Sequence, residues 1–313
     1  MNTSIPVTLY RIFFALILFT TSSSFAAFIP NPATCSTDKA TLEYIYYTDG
    51  FPPVPGSPND PDHGLLSKSY DATSCVGVYG VNDDTGGLNN PSPNIGQYQD
   101  GLLNGEDYLS GMEFITPDDL QALDPDGIKD DPGWIHLASF NGDDGSVNYS
   151  TTGPVPGGSL VLDIGDLLTL DFTCTAGGPG NCSALDWTLT TKLDIIDQVQ
   201  ELLGEATFDH LAFSVKAGSE SSDGGFTVYD FNFKTIFAEE NSPYLNFLTP
   251  YKLAGTLDTG DFGDKGISHL NVWARDPSDT TDVPEPASMA VFGTGLLAIF
   301  YFSRRNRLKF KAT

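Results

Sequence analysis

The sequence predicts an all-β protein: an antiparallel β-sandwich, jelly-roll-like in its connections, set between an N-terminal signal peptide and a C-terminal transmembrane helix. Three observations predict it. Short runs alternate apolar and polar residues at period two, which puts one strand face on a core. Those runs are separated by clusters of Gly, Pro, Asp and Asn, in a chain with 32 Gly and 21 Pro, a composition of many tight turns. Both ends are apolar segments with the flanks of targeting signals.

The elements follow in chain order. Arg11 is a positive lead, Ile12 to Thr20 is uninterruptedly apolar, and Ser24 and Ala26 are small residues at the −3 and −1 positions of a cleavage site. Residues 1–26 are therefore expected to be a signal peptide, cut after Ala26 by signal peptidase. Residues 27–69 form a Pro/Asp-rich arm joining the sandwich, with five prolines between 51 and 65. The sandwich is expected over residues 70–276. Its clearest strands carry Leu185, Trp187 and Leu189; Leu211, Phe213 and Val215; Tyr229, Phe231 and Phe233; and Leu270, Val272 and Ala274. Only Asp194 to Leu203, closed by Gly204, has helical spacing, at Ile196, Val199, Leu202 and Leu203. A flexible neck, 277–282, leads to the tail at 283–313.

Cys35, Cys75, Cys174 and Cys182 remain after cleavage. An even count in an oxidising compartment predicts two disulfides. Of the three pairings we favour Cys35–Cys75 and Cys174–Cys182, the second closing the Gly/Pro-rich loop from Thr175 to Asn181. No pair has the short spacing of a thiolate metal site.

The formal charge is −26, and residues 27–282 hold nine basic against forty acidic residues, a net of −31. Nucleic acid is excluded as a partner, because phosphate backbones are neutralised by Lys and Arg. Docking on anionic lipid is opposed on the same ground. The basic residues concentrate instead at the far C-terminus, a division that separates compartments.

That terminus has three parts: Val283-Pro284-Glu285-Pro286, a transmembrane helix expected at 287–303, and a basic tail, 304–313, flanked by Arg304, Arg305 and Arg307. The apolar run Ala287 to Phe302 spans about 24 Å as a helix, short of a ~30 Å hydrocarbon core, with flanking residues or local thinning to close the gap. The arginines place the tail in the cytoplasm and residues 27–282 outside. This order of motif, span and basic tail resembles the PEP-CTERM sorting signal of Gram-negative bacteria. The resemblance implies a partner, exosortase, a membrane cysteine protease-transpeptidase that removes the tail near the Pro-Glu-Pro motif. It also implies export through the inner membrane, transient anchoring there, and then placement at the cell surface or in the extracellular matrix. The body is similar, more weakly, to exported domains of that family. The similarity rests on Tyr70-Asp71-Ala72-Thr73-Ser74-Cys75, Trp134-Ile135-His136-Leu137, Phe213 to Gly218, Phe226 to Phe233, and Ile267 to Trp273. It carries no catalytic residues.

Motifs of chemistry are sparse. There is no G-x-S-x-G elbow and no H-E-x-x-H, and His63, His136, His210 and His269 are scattered. With so many acids, a carboxylate pair of the kind glycosidases use cannot be singled out without geometry. Calcium is the cofactor the composition suits best, since it takes carboxylate and carbonyl oxygens. Asp124, Asp126 and Asp130 are the candidate ligands, although Ala122 and Gly133 stand where an EF-type loop needs ligands. Trp273 is the candidate glycan contact, because it lies on the strand face opposite Leu270, Val272 and Ala274. If both faces of that strand are covered, it is core instead. The expected function is a non-enzymatic structural or exopolysaccharide-associated surface or matrix protein. A calcium-dependent lectin-like or adhesin module is the alternative, and a polysaccharide-active enzyme a third reading.

Overall fold

Period-two alternation is realised as two stacked antiparallel sheets. The computed structural model describes residues 34–52, 55–57, 62–81, 83, 94–106, 109–154, 159–178, 180–203, 207–218 and 224–277. The signal peptide and the tail 283–313, with its apolar span, lie outside the described residues. Among those described, no helix is long and apolar enough to cross a membrane.

The strands are β1 (Ala40–Tyr47), β2 (Tyr70–Asp71), β3 (Ser74–Tyr79), β4 (Trp134–Asn141), β5 (Val147–Tyr149), β6 (Thr151–Thr152), β7 (Leu162–Asp163), β8 (Leu168–Ala176), β9 (Ala184–Thr191), β10 (His210–Ala217), β11 (Gly225–Asn232), β12 (Tyr251–Asp258) and β13 (Ile267–Arg275). One sheet has five strands in the order β2-β1-β12-β9-β8, the other six in the order β3-β11-β10-β13-β4-β5, and β6 pairs with β7. Successive strands β8–β9 and β10–β11 are hairpins within one sheet. The chain changes sheets between β9 and β10, β11 and β12, and β12 and β13. These in-sheet hairpins define the strand order, which the jelly-roll expectation left open.

The main core lies between the sheets. Leu185, Trp187 and Leu189 of β9 face Leu211, Phe213 and Val215 of β10, all buried. Trp187 and Phe213 lie 4.9 Å apart between ring centroids, and Phe213 meets Phe231 edge-on at 6.2 Å. Each such side chain, fully removed from water, contributes about 1.5–3 kcal/mol. Gly255 explains a local irregularity in β12. A Cβ there would run into the Thr41 carbonyl of β1 and the Trp187 ring, and the β1–β12 register shifts at this place, between Leu42 and Tyr44.

A second cluster covers the outer face of the six-stranded sheet. Leu102, Leu103, Leu109 and Ile115 pack on Trp134, Ala212, Phe226, Val228 and Trp273. With both faces covered, every residue of β10 is buried. Asn94 and Asn104 fasten this covering layer to β4. Trp134 N–H donates to Asn104 Oδ1 (3.0 Å) while Asn104 Nδ2 donates to the Trp134 carbonyl (2.7 Å). Asn94 does the same with His136, at 2.8 and 3.1 Å. Each amide side chain thus acts as a short piece of strand where β5 does not reach.

The arm at 27–69 joins the sandwich through β1, an internal strand of the five-stranded sheet in which Ala40, Leu42 and Ile45 bury completely. Two expectations are corrected. The alternation through Phe233 stops one residue early. The Asn232 side chain accepts from Thr235 N–H (3.1 Å) and starts helix α2 (Phe233–Glu240), which ends at Asn241 in the left-handed conformation. Helix α1 (Ile195–Leu203) forms as expected, but Ile195 rather than Ile196 joins Val199 and Leu202 as its buried stripe.

Candidate functional site

Helices α1 and α2 close one end of the sandwich and leave a cavity of about 130 Å³ beneath them. The cavity lies where β9 and β13 end and where β10 and β12 begin, so its walls come from both sheets. Leu189, Val199, Phe233, Phe237, Tyr251 and Leu253 are among the residues of its apolar wall. Among the described residues, its lining includes no Asp, Glu, Lys or Arg, and His210 is its one ionisable group apart from Tyr251. The local sequence builds it directly. Phe233 and Phe237 share one face of α2 at helical spacing, and Phe237 meets Phe247 at 5.1 Å and Tyr251 edge-on at 6.3 Å. The end of α2 is pinned by Glu240, which accepts from Ser67 N–H (2.9 Å) and the Tyr70 hydroxyl (2.7 Å). Burial, together with Glu240, raises the Tyr70 phenol above its ordinary range.

Two buried polar groups lie beside the cavity. His210 Nδ1 is 2.9 Å from Asp230 Oδ1, and the Thr73 hydroxyl reaches the Asp230 carbonyl (2.8 Å) and carboxylate (3.3 Å). Burial holds Asp230 above the usual carboxylate range, and the His210 bond only partly offsets it. Arg275, at the end of β13, donates to both oxygens of Asp209 (3.2 and 3.1 Å) and to the Pro132 and Asp119 carbonyls (3.1 and 2.6 Å). Lys234 adds a second cation to Asp209 at 2.6 Å. A buried carboxylate with two cations is compensated rather than stranded. These groups can orient and anchor; the cavity itself can hold an apolar body.

The residues singled out from the sequence fall elsewhere. Trp273 is fully buried in the second cluster, its ring edge-on to His136 at 4.7 Å. It is core and cannot stack on a glycan, because the layer 94–120 covers the face that alternation alone left open. Trp134 and Trp187 are buried as well. Asp124 and Asp126 shape their own turn. Asp124 Oδ1 accepts from Asp126 N–H (2.9 Å), and Asp126 Oδ1 from Ile128 N–H (2.7 Å). Asp130 is exposed. Among the described residues, no three His, Cys, Asp or Glu side chains are grouped to hold a metal ion. The acid that organises this loop is instead Asp131, which accepts from Tyr98 N–H (2.8 Å) and Leu123 N–H (2.6 Å). The disulfides are Cys35–Cys75 and Cys174–Cys182, with Cα atoms 6.2 and 5.6 Å apart. Val283, Pro284, Glu285, Pro286, Arg304, Arg305 and Arg307 lie outside the described residues.

Sequence reasoning missed the cavity, because its walls come from segments spread between Leu137 and Ala274. The usable signal was the aromatic series Phe233, Phe237, Phe247 and Tyr251 beside the one clear helix.

The end of the chain matches a known family, described as the PEP-CTERM protein-sorting motif, over residues 282–305. No curated protein and no solved structure matches the chain. The chain carries a PEP-CTERM sorting signal, and that signal supports an exported protein sorted by exosortase.

Proposed function

We propose that this PEP-CTERM protein is a non-enzymatic structural component of the cell surface or extracellular matrix, associated with exopolysaccharide. The sorting motif at 282–305 is the observation that carries the reading. A domain delivered by it leaves the cytoplasm, and the folded part suits life outside. Two disulfides, one bridging the sheets and one closing a hairpin, resist unfolding and persist in an oxidising compartment. A surface this acidic keeps the protein soluble and apart from other anionic polymers at low salt. Association with polysaccharide therefore rests on neutral glycans, rather than on tryptophan stacking.

Two experiments test it. In cells with working exosortase, mass spectrometry of the exported protein is expected to end it near Pro284-Glu285-Pro286; in cells lacking exosortase, the full tail stays and the protein remains with the membrane. An intact tail in both strains overturns the sorting step. The exported protein is then expected to sediment with the host's exopolysaccharide, with calcium or with chelator. Absence of co-sedimentation in both conditions removes the polysaccharide from the proposal, and loss with chelator alone replaces it with the calcium-dependent lectin-like reading.

A further inference from the structure

We infer that the cavity under α1 and α2 is a binding site for a neutral apolar body of about the size of a benzene ring: a small hydrophobic molecule or the end of an alkyl chain. Its volume of about 130 Å³ is close to that of an engineered apolar cavity of ~150 Å³ that stays dry and accepts benzene. Its wall is chemically matched to such a guest, with leucine, valine and phenylalanine side chains from both sheets and both helices. The space opens to solvent and is lined from eight elements, β4, β8, β9, β10, β12, β13, α1 and α2, so an apolar guest can enter and bury its surface there.

The surroundings narrow the class further. Leu248, 66% exposed, stands between the lining residues Phe247 and Thr249, and Leu193, 51% exposed, stands two residues before the lining residue Ile195. Two exposed apolar side chains thus belong to the segments that line the cavity. The domain's negative charge disfavours an anionic amphiphile. A free solute and the alkyl end of a neutral membrane lipid share the required chemistry. The second source is in reach: β13 lines the cavity at Ala274, and seven residues separate it from the sorting signal at 282, a span of at most about 29 Å.

The test uses the exported protein purified from the producing cells. An organic extract is analysed for a stoichiometric lipid, and the protein is then passed over hydrophobic resin to clear the site. Benzene near saturation is expected to raise the melting temperature by several degrees, because it binds the folded state alone. Methyl resonances of Leu189, Val199 and Leu253 are expected to shift. Val199→Phe, and independently Ala274→Leu, fill the space and are expected to cut the rise at least by half with an unchanged far-ultraviolet spectrum. A lipid in the extract assigns the site to a membrane source; benzene binding without one assigns it to a free solute. The inference is overturned if benzene leaves the wild-type melting temperature unchanged, if the methyl shifts fall elsewhere, or if a folded filled variant responds as the wild type does.

Discussion

Trp273 and His136 lie face to edge in the layer outside the six-stranded sheet, and both are removed from water. Truncation of a large core aromatic deletes its transfer energy and leaves a cavity. Trp273→Ala is therefore expected to cost about 3–5 kcal/mol in denaturant unfolding; a cost below about 1 kcal/mol would mean that the ring is not core. His136 makes a pH prediction. Burial pushes its pKa down to about 4, and its ring partners, Ser150 (2.5 Å) and Asn271 (3.3 Å), are neutral. The unfolded chain takes up a proton near pH 6.5 that the folded protein refuses until about 4. Stability is thus complete above about 6.5 and is lost as the pH falls toward 4. At 1.36 kcal/mol per pH unit, the gap is worth about 3 kcal/mol. Asp100 and Asp230 act in the opposite sense, since burial makes each hold its proton more tightly when folded. The comparison with His136→Gln isolates the histidine: urea midpoints at pH 7 and 4.5 are expected to differ more in the wild type. Equal differences would refute the assignment.

Elements are held here by side chains that imitate backbone. Asn104 pairs with both the N–H and the carbonyl of Trp134, and so joins the covering layer to β4. Asn104→Ala strands three buried backbone groups, the Trp134 N–H and carbonyl and the Asp100 carbonyl. At about 1 kcal/mol or more for each, a loss of at least about 3 kcal/mol is expected. Faster hydrogen exchange is expected at Ile95, Gly96 and Trp134, but not in β12. An unchanged exchange pattern would show that apolar packing alone holds the layer. The sequence signalled neither asparagine as special, because an Asn in a turn-rich tract ordinarily serves its own turn. Helix α2 was equally hidden. Its eight residues, Phe233 to Glu240, continue a strand alternation for one position before the Asn232 cap redirects the chain.

At the scale of the molecule, Cys35–Cys75 ties the segment entering β1 to β3, and so links the two sheets. The 40-residue separation predicts a stabilisation of about 4 kcal/mol by loop entropy. Cys35→Ser with Cys75→Ser is expected to lower stability by that order; a change under 1 kcal/mol would place the bridge in an already ordered unfolded chain. The sequence by itself determined the all-β class, the strands through Trp187, Phe213, Phe231 and Val272, the helix at 194–203 and the sorting signal, and it favoured, among three, the disulfide pairing that the structure holds. Each of these is written in local periodicity, in spacing, or in a motif read at one place. Only the tertiary structure decided that Trp273 is core, that β1 lies inside a sheet, that Asp124 and Asp126 serve their own turn, and that a cavity lies beneath α1 and α2. Those outcomes depend on which distant segment covers a face. Coverage comes from contacts between residues far apart in the chain, and period-two alternation says only that a strand has two faces.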